Sequence, residues 1–371
     1  MTSVFYLFRD APPRRAALEL EPGSPARYAL FGMDQLAERG FAVGHNLERP
    51  RPSAWARGTG VALKRGLEGA GGYGGDFATV LSSLRRLNRA DVVLSTVDTV
   101  GIPLMLLARG RVVRRPFVYT AIGLPERLAQ LRPGRMERLY AAALGRASAI
   151  VTYSEHEARV LTEWLRPRGA VVPVEFVPLG VDVEAFRPPS ARPDLDVVSV
   201  GADPHRDFEL LLDVARAMPE TGFLAVTTSD RARALDDRPA NVSVETDLPF
   251  DEMRRRLERA RVVALPVREN SYSGATTVLL QAMALAKPVV VTRTAAIATG
   301  YGLEDGANAR LVAPGDAEAF GEALILLLRD DVRARGLGRR ARATVESGLG
   351  WERYVDRLAA VLARAGSREH E

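Results

Sequence analysis

Short runs of β-branched and apolar residues, each followed by a stretch of helical composition, recur along almost the whole chain. That alternation limits the fold more than any other feature. In the first half the runs are SVFYLF (3–8), DVVLSTV (91–97), PFVYTAI (116–122), AIVTYS (149–154) and VEFVPLG (174–180). In the second half they are VVSVG (197–201), FLAVTT (223–228), NVSVE (241–245), RVVALPV (261–267) and KPVVVT (287–292). Near-continuous apolar strands are those covered on both faces, and strands alternating with helices belong to parallel sheets. Between the first two strands, Ser24 and Pro25 mark a helix start, with a helix expected over Ala26 to Arg39, stopped by Gly40. Residues 48–75 are rich in Arg, Gly and Pro and give no clear element.

DVEAFRPPSARPDLD (182–196) has three prolines and little apolar content, so it interrupts the series as a linker. The expected architecture is α/β with two doubly wound, Rossmann-like domains facing across a cleft, where a ligand would bind. The expected boundaries are an N-terminal domain at 1–185, a linker at 186–195, a second domain at 196–347 and a C-terminal helical segment at 348–371. In that segment, WERYVDRLAAVLARA (351–365) places Tyr354, Leu358, Val361 and Leu362 on one apolar face, which suits packing back on the N-terminal domain.

Composition removes several classes of function. With no cysteine there is no disulfide, no thiolate nucleophile and no Cys-based zinc site. The four histidines (His45, His156, His205, His370) lack metal-ligand spacing. No run reaches the roughly 20 apolar residues of a membrane span, and the opening MTSVFYLFRDAPPRR does not read as a signal peptide. A cytoplasmic protein is expected. Only Lys64 and Lys287 are lysines, so the positive charge is arginine spread through the sequence, as in a GC-rich genome, and nucleic acid is not the expected partner. Up to Phe186 there are 25 basic and 18 acidic residues, against 26 and 28 after it. The basic first half (+7, against −2) is consistent with an acidic substrate or peripheral contact with a membrane surface, and equally with an ordinary solvated face.

The stretch NSYSGATTVLLQAMALAKPVVVTRT (270–294) concentrates the chemistry. After the strand RVVALPV, small residues Ser273, Gly274, Ala275, Thr276 and Thr277 lead into a buried helix, expected over Val278 to Ala286, that Lys287-Pro288 ends. A loop of small residues at the carboxyl edge of a parallel sheet lets backbone N–H groups reach an anion at a helix amino terminus. An ordinary strand-to-helix turn with a Thr cap has the same composition.

Two further segments align with it. EFVPLGVDVEAFRPP (175–189) closes the first half, and VVSVGADPHRDFELLLDVA (197–215) opens the second with strand, Gly turn, basic residue and helix. Together with EDGANARLVAPGDAEAFGEALILLLRD (304–330) and the final Trp-containing helix, the set resembles the GT-B glycosyltransferases, in particular the large retaining family 4. The resemblance implies transfer of a sugar from a nucleotide-diphosphate sugar to an acceptor hydroxyl, with retention and with neither metal nor cofactor. It implies that Gly201 lets the donor diphosphate approach and that Arg206 binds the phosphates through its planar fork. Ser273 to Thr277 would face the distal phosphate and sugar, and Gln281 the ribose hydroxyls. The family's paired acids fall on Ser273 and Gln281, so Glu269 is the candidate displaced acid, and Arg268 a second candidate phosphate contact. Where the family has a first-domain histidine, Ile122-Gly123 stands, and Ala202 replaces a phosphate-contacting arginine. Gly123 and His156 remain the acceptor-side candidates. The acceptor itself, whether glycan, lipid-linked or a small natural product, has no decodable motif. The alternatives are a GT-B nucleotide-sugar epimerase and a catalytically silent nucleotide- or glycan-binding module.

Overall fold

The computed structural model describes residues 1–48, 52–272 and 274–367. The chain forms two compact units, one of Met1–Val177 joined by the C-terminal helix from Tyr354 onward, the other of Pro178–Arg353. In the first unit the strands are β1 (Thr2–Leu7), β2 (Phe41–His45), β3 (Val92–Ser95), β4 (Phe117–Ala121), β5 (Ala149–Thr152) and β6 (Val174–Phe176). Its helices are α1 (Pro12–Glu19), α2 (Ala54–Gly69), α3 (Phe77–Leu87), α4 (Asp98–Arg109), α5 (Leu124–Ala129), α6 (Arg135–Leu144) and α7 (Glu155–Leu165). The second unit has β7 (Leu195–Val200), β8 (Phe223–Thr227), β9 (Val242–Thr246), β10 (Ala260–Leu265), β11 (Val289–Thr292) and β12 (Arg310–Val312). Its helices are α8 (Phe208–Ala217), α9 (Ser229–Ala232), α10 (Phe250–Arg259), α11 (Thr276–Ala284), α12 (Ala317–Arg329) and α13 (Asp331–Gly348), followed by α14 (Trp351–Ser367).

Each sheet has six strands and every pairing is parallel, in the orders β2-β1-β3-β4-β5-β6 and β12-β11-β10-β7-β8-β9. All residues of β3, β4, β5 and β11 are buried, as their unbroken apolar composition requires of strands with helices on both faces. In both sheets the order reverses beside the first strand, between β1 and β3 and between β7 and β10. The carboxyl ends of the strands at such a reversal are the standard place for a ligand on an open α/β sheet.

Some local expectations are corrected. The helix expected over 26–39 is two short 3₁₀ turns, Pro25–Leu30 and Ala37–Arg39. Phe31 (φ 53°) and Gly32 (φ 75°) are left-handed and break it, and Gly32 lies against Val355 of α14, where a side chain would collide. The unreadable stretch before residue 75 holds α2, whose first turn is capped by Ser53 accepting from the Ala56 N–H at 3.3 Å. The helix of the 270–294 stretch starts at Thr276 and ends at Ala284.

The expected domain boundary at 185 differs from the observed one after Val177, because the chain beyond it is bound to the second unit. Phe186 packs edge-on against Phe250, 5.8 Å between ring centroids. Arg342 donates to the carbonyl of Phe186, and Arg254 to that of Ala185. Tyr354, Leu358, Val361 and Leu362 of α14 are buried, as the apolar face of that segment anticipated, and Val355 is buried with them. Tyr354 shares a hydroxyl hydrogen bond with Tyr153 at 3.0 Å, which fixes the helix in the first unit.

Candidate functional site

At the reversal point of the second sheet, three loops are laced together. The Asp207 N–H donates to the Pro266 carbonyl (3.0 Å) and the Arg268 N–H to the His205 carbonyl (2.8 Å). The Val267 N–H donates to the Thr292 hydroxyl at 3.0 Å, tying the loop after β10 to the end of β11. Asp207 caps α8 through the Leu210 N–H.

Arg206 lies inside this crossing and is 2% exposed. Its guanidinium covers Gly201, which adopts φ 146°, and a Cβ there would overlap the Arg206 side chain. Nη2 donates to the Val200 carbonyl at 2.6 Å, whereas Nε and Nη1 are buried with no partner among the described residues. Burial lowers the guanidinium to about 10, against the opposing pull of Asp203, so it stays charged at neutral pH. A buried cation with two idle donors is costly to leave unpaired and becomes favourable when an anion supplies the acceptors.

More idle polar atoms come from the same segments. The Asn270 Oδ1, Thr276 Oγ1, Gln281 Oε1 and Thr294 Oγ1 atoms are all buried and unpartnered among the described residues. Ala275, at the N-cap of α11, has no side chain to cap it, so the amides of the first turn are left for another acceptor. Gly274 approaches the Asp203 carboxylate so closely that a Cβ would be 2.7 Å from Oδ1.

The other candidate residues are placed as follows. Thr277 is half-buried in the first turn of α11. Ser273 lies outside the described residues. Arg268 is half-exposed and directed at α8, 2.8 Å from Glu209 and 3.5 Å from Asp207, and not at Arg206. Glu269 is exposed, and its carboxylate accepts from the Ala295 N–H at 2.8 Å. Gly123 and His156 belong to the first unit. Gly123 (φ 78°) precedes α5 at the carboxyl end of β4, and His156 in the first turn of α7 accepts from Arg159 at 3.0 Å. Among the described residues no group of three or more His, Asp or Glu side chains is arranged to hold a metal ion.

Sequence reasoning passed over three buried or half-buried carboxylates. Glu157 is fully buried; its Oε1 accepts from the Gly123 and Leu124 N–H groups at 2.8 and 3.1 Å. Burial and the nearby Asp98 hold its carboxyl well above the usual carboxylate range. Asp98 accepts from the Tyr119 hydroxyl (2.8 Å) and from Arg127 (3.3 Å), yet burial pushes it up to about 6. Asp203 accepts from the His205 N–H and the Tyr272 hydroxyl. The only local signal for Glu157 was the Ser154-x-x-Glu157 pattern, which points to a helix cap. Ser154 does accept from the Glu157 N–H, but the Glu157 carboxyl reaches a different loop.

Residues 191–330 match the family described as glycosyl transferases group 1. A sucrose-phosphate synthase from Thermosynechococcus elongatus is 16% identical with a TM-score of 0.74, covering 99% of this chain and 100% of that one. Anabaena HepE, solved in complex with UDP-glucose, gives 15% identity and a TM-score of 0.69, with 98% and 100% covered. An α,α-trehalose 6-phosphate synthase from Burkholderia multivorans gives 13% and 0.68, with 100% of each chain covered. No curated protein matches the sequence. The fold is that of the GT-B proteins, two doubly wound α/β units. The family match lies wholly within the second unit, over segments whose motifs resemble those of the GT-B glycosyltransferases. Among the described residues no helix is long and apolar enough to cross a membrane.

Proposed function

We propose that the protein transfers a hexosyl or deoxyhexosyl group from a nucleotide-diphosphate sugar to an acceptor hydroxyl, with retention at the anomeric carbon and without a metal or other cofactor. The observation that carries this reading is Arg206, a buried guanidinium with two nitrogens unpaired among the described residues, at the reversal point of a parallel sheet. Its charge and the amides at the start of α11 suit a diphosphate. As the bond from the anomeric carbon to the distal phosphate breaks, negative charge grows on the leaving group. Preorganised donors that meet this charge contribute about 3–4 kcal/mol each in comparable sites. Gly201 keeps the approach open, and Gln281, with an idle oxygen, suits a hydroxyl of the nucleoside. HepE has been solved with UDP and with UDP-glucose, which makes uridine the first base to test. The acceptor, a glycan, a lipid-linked sugar or a small natural product, would be held by loops of the first unit, including that of Gly123. Its basic sequence would suit an anionic acceptor or a membrane surface. The site of action we propose is the cytoplasm.

The test is thermal stabilisation by a panel of nucleoside diphosphates and nucleotide sugars, since a ligand of the native state raises its stability with saturation. One diphosphate should stabilise the wild type, with the shift abolished in Arg206→Ala and reduced in Gln281→Ala. A wild type that no nucleotide stabilises would sink the donor-site reading.

A further inference from the structure

The turn after β7 carries a carboxylate that the diphosphate site does not need. Asp203 is half-buried, and both its oxygens are held in place: Oδ1 accepts from the His205 N–H (2.8 Å) and Oδ2 from the Tyr272 hydroxyl (2.9 Å). The Tyr272 ring meets the His205 ring edge-on, 5.5 Å between centroids. These contacts fix the carboxylate against Gly274, two residues before α11, with Arg206 close enough for the two charges to interact. A negative charge beside an anion site repels the anion unless it faces a different part of the ligand. A nucleotide-diphosphate sugar has such parts, its hydroxyl groups, which can only donate to an ionised carboxylate. A carboxylate has about four lone-pair sites, so the two donors in place do not exhaust it. Glu269, the candidate displaced acid, is turned to the Ala295 N–H instead.

We propose that Asp203 binds hydroxyl groups of the transferred sugar and is a specificity-determining residue of the donor site. The inference rests on the donor-site reading and deepens it. Asp203 makes the protein prefer a nucleotide sugar over the matching nucleoside diphosphate, because it rewards the sugar's hydroxyls and repels a diphosphate that lacks them. Tyr272 and the His205 amide act through Asp203, as positioning groups.

The experiment is calorimetric titration of wild type, Asp203→Asn, Asp203→Ala and Tyr272→Phe with UDP, GDP, ADP and TDP, each alongside its glucose conjugate. For the pair that binds wild type best, Asp203→Ala should weaken the nucleotide sugar about tenfold to a hundredfold, the span of a hydrogen bond to a charged group. The diphosphate should bind unchanged or more tightly. Asp203→Asn should shift the ratio the same way by less, since an amide oxygen still accepts. Tyr272→Phe keeps the ring against His205 and should give a smaller shift of the same sign, so the inference stays testable if the Asp203 variants fold poorly. Equal losses for diphosphate and nucleotide sugar would overturn it, placing Asp203 on the ribose or making it a prop for the loop. An unchanged ratio in folded variants would overturn it as well. If no diphosphate binds wild type, the donor-site reading itself fails.

Discussion

Arg206 and Asp98 are charged groups folded into places where water cannot reach them, and each has a measurable consequence. Two guanidinium nitrogens of Arg206 lack partners among the described residues, so its burial costs stability while no ligand is bound. Arg206→Met should leave the ligand-free melting temperature equal or higher, and should abolish stabilisation by diphosphate. A melting temperature several degrees lower would show that Arg206 is a structural strut. Asp98 behaves as the opposite kind of group. Its carboxyl is raised from 3.8 to about 6 by burial, so the folded state keeps a proton that the unfolded chain has lost. That contribution is fully present below about pH 4 and is lost as pH rises through about 6, an order of 3 kcal/mol in all. Asp98→Asn should flatten the fall in melting temperature between pH 4 and 6 relative to wild type. Matching slopes in the two proteins would show that Asp98 ionises normally. Burial and the nearby Asp98 raise the Glu157 carboxyl, disfavouring its charged form. Glu157→Gln, which keeps the acceptor for the Gly123 and Leu124 amides, should therefore cost little at neutral pH.

Among the elements, α11 is the one on which the donor site depends. Its Leu279, Leu280, Ala282 and Met283 are buried. Beyond its end Ala286 takes a left-handed turn (φ 54°), and Lys287 donates to the Ala260 carbonyl at 3.0 Å from a buried position that lowers its pKa to about 8. Gly338 of α13 packs directly on the Ala286 carbonyl, where a Cβ would overlap it. Gly338→Ala should therefore destabilise the protein by about 2 kcal/mol or more, as overpacking against backbone does. Ala286→Gly should stabilise it by about 1 kcal/mol, because glycine accepts a left-handed turn without strain. Denaturant melts of the two variants test this, and a neutral Gly338→Ala would show that α13 can slide. None of this was visible in the sequence of α11. Its composition announced a buried helix, but which helix would press on its terminal turn depended on a residue 52 positions after Ala286.

On the scale of the whole molecule, the C-terminal helix completes the first unit. Tyr354, Val355, Leu358, Val361, Leu362 and Ala365 are all buried. Arg39 pairs with Asp356 at 2.7 Å, and Arg364 with Glu175. Each large apolar side chain buried contributes about 1.5–3 kcal/mol, so the set rivals the 5–15 kcal/mol net stability of a typical domain. A chain ending at Arg353 should lose cooperative unfolding of its first unit and become protease-sensitive within residues 1–177. An unchanged first transition in calorimetry would show that the helix is dispensable.

The sequence by itself determined the class of fold, the succession of strands and helices within each half and a candidate loop for binding an anion. These follow from local periodicity and from the rule that ligands bind at the carboxyl edge of a parallel sheet. The resemblance to the GT-B glycosyltransferases added Gly201 and Arg206 to the 273–277 loop as one candidate group. Only the tertiary structure decided which charges are buried and which are paired. Arg268 turns to Glu209, Glu269 to a backbone amide, and Asp203 comes to rest against Gly274, 71 residues away in sequence. Side-chain electrostatics depend on burial and on partners brought together by the fold. No window along the chain contains both members of such a pair.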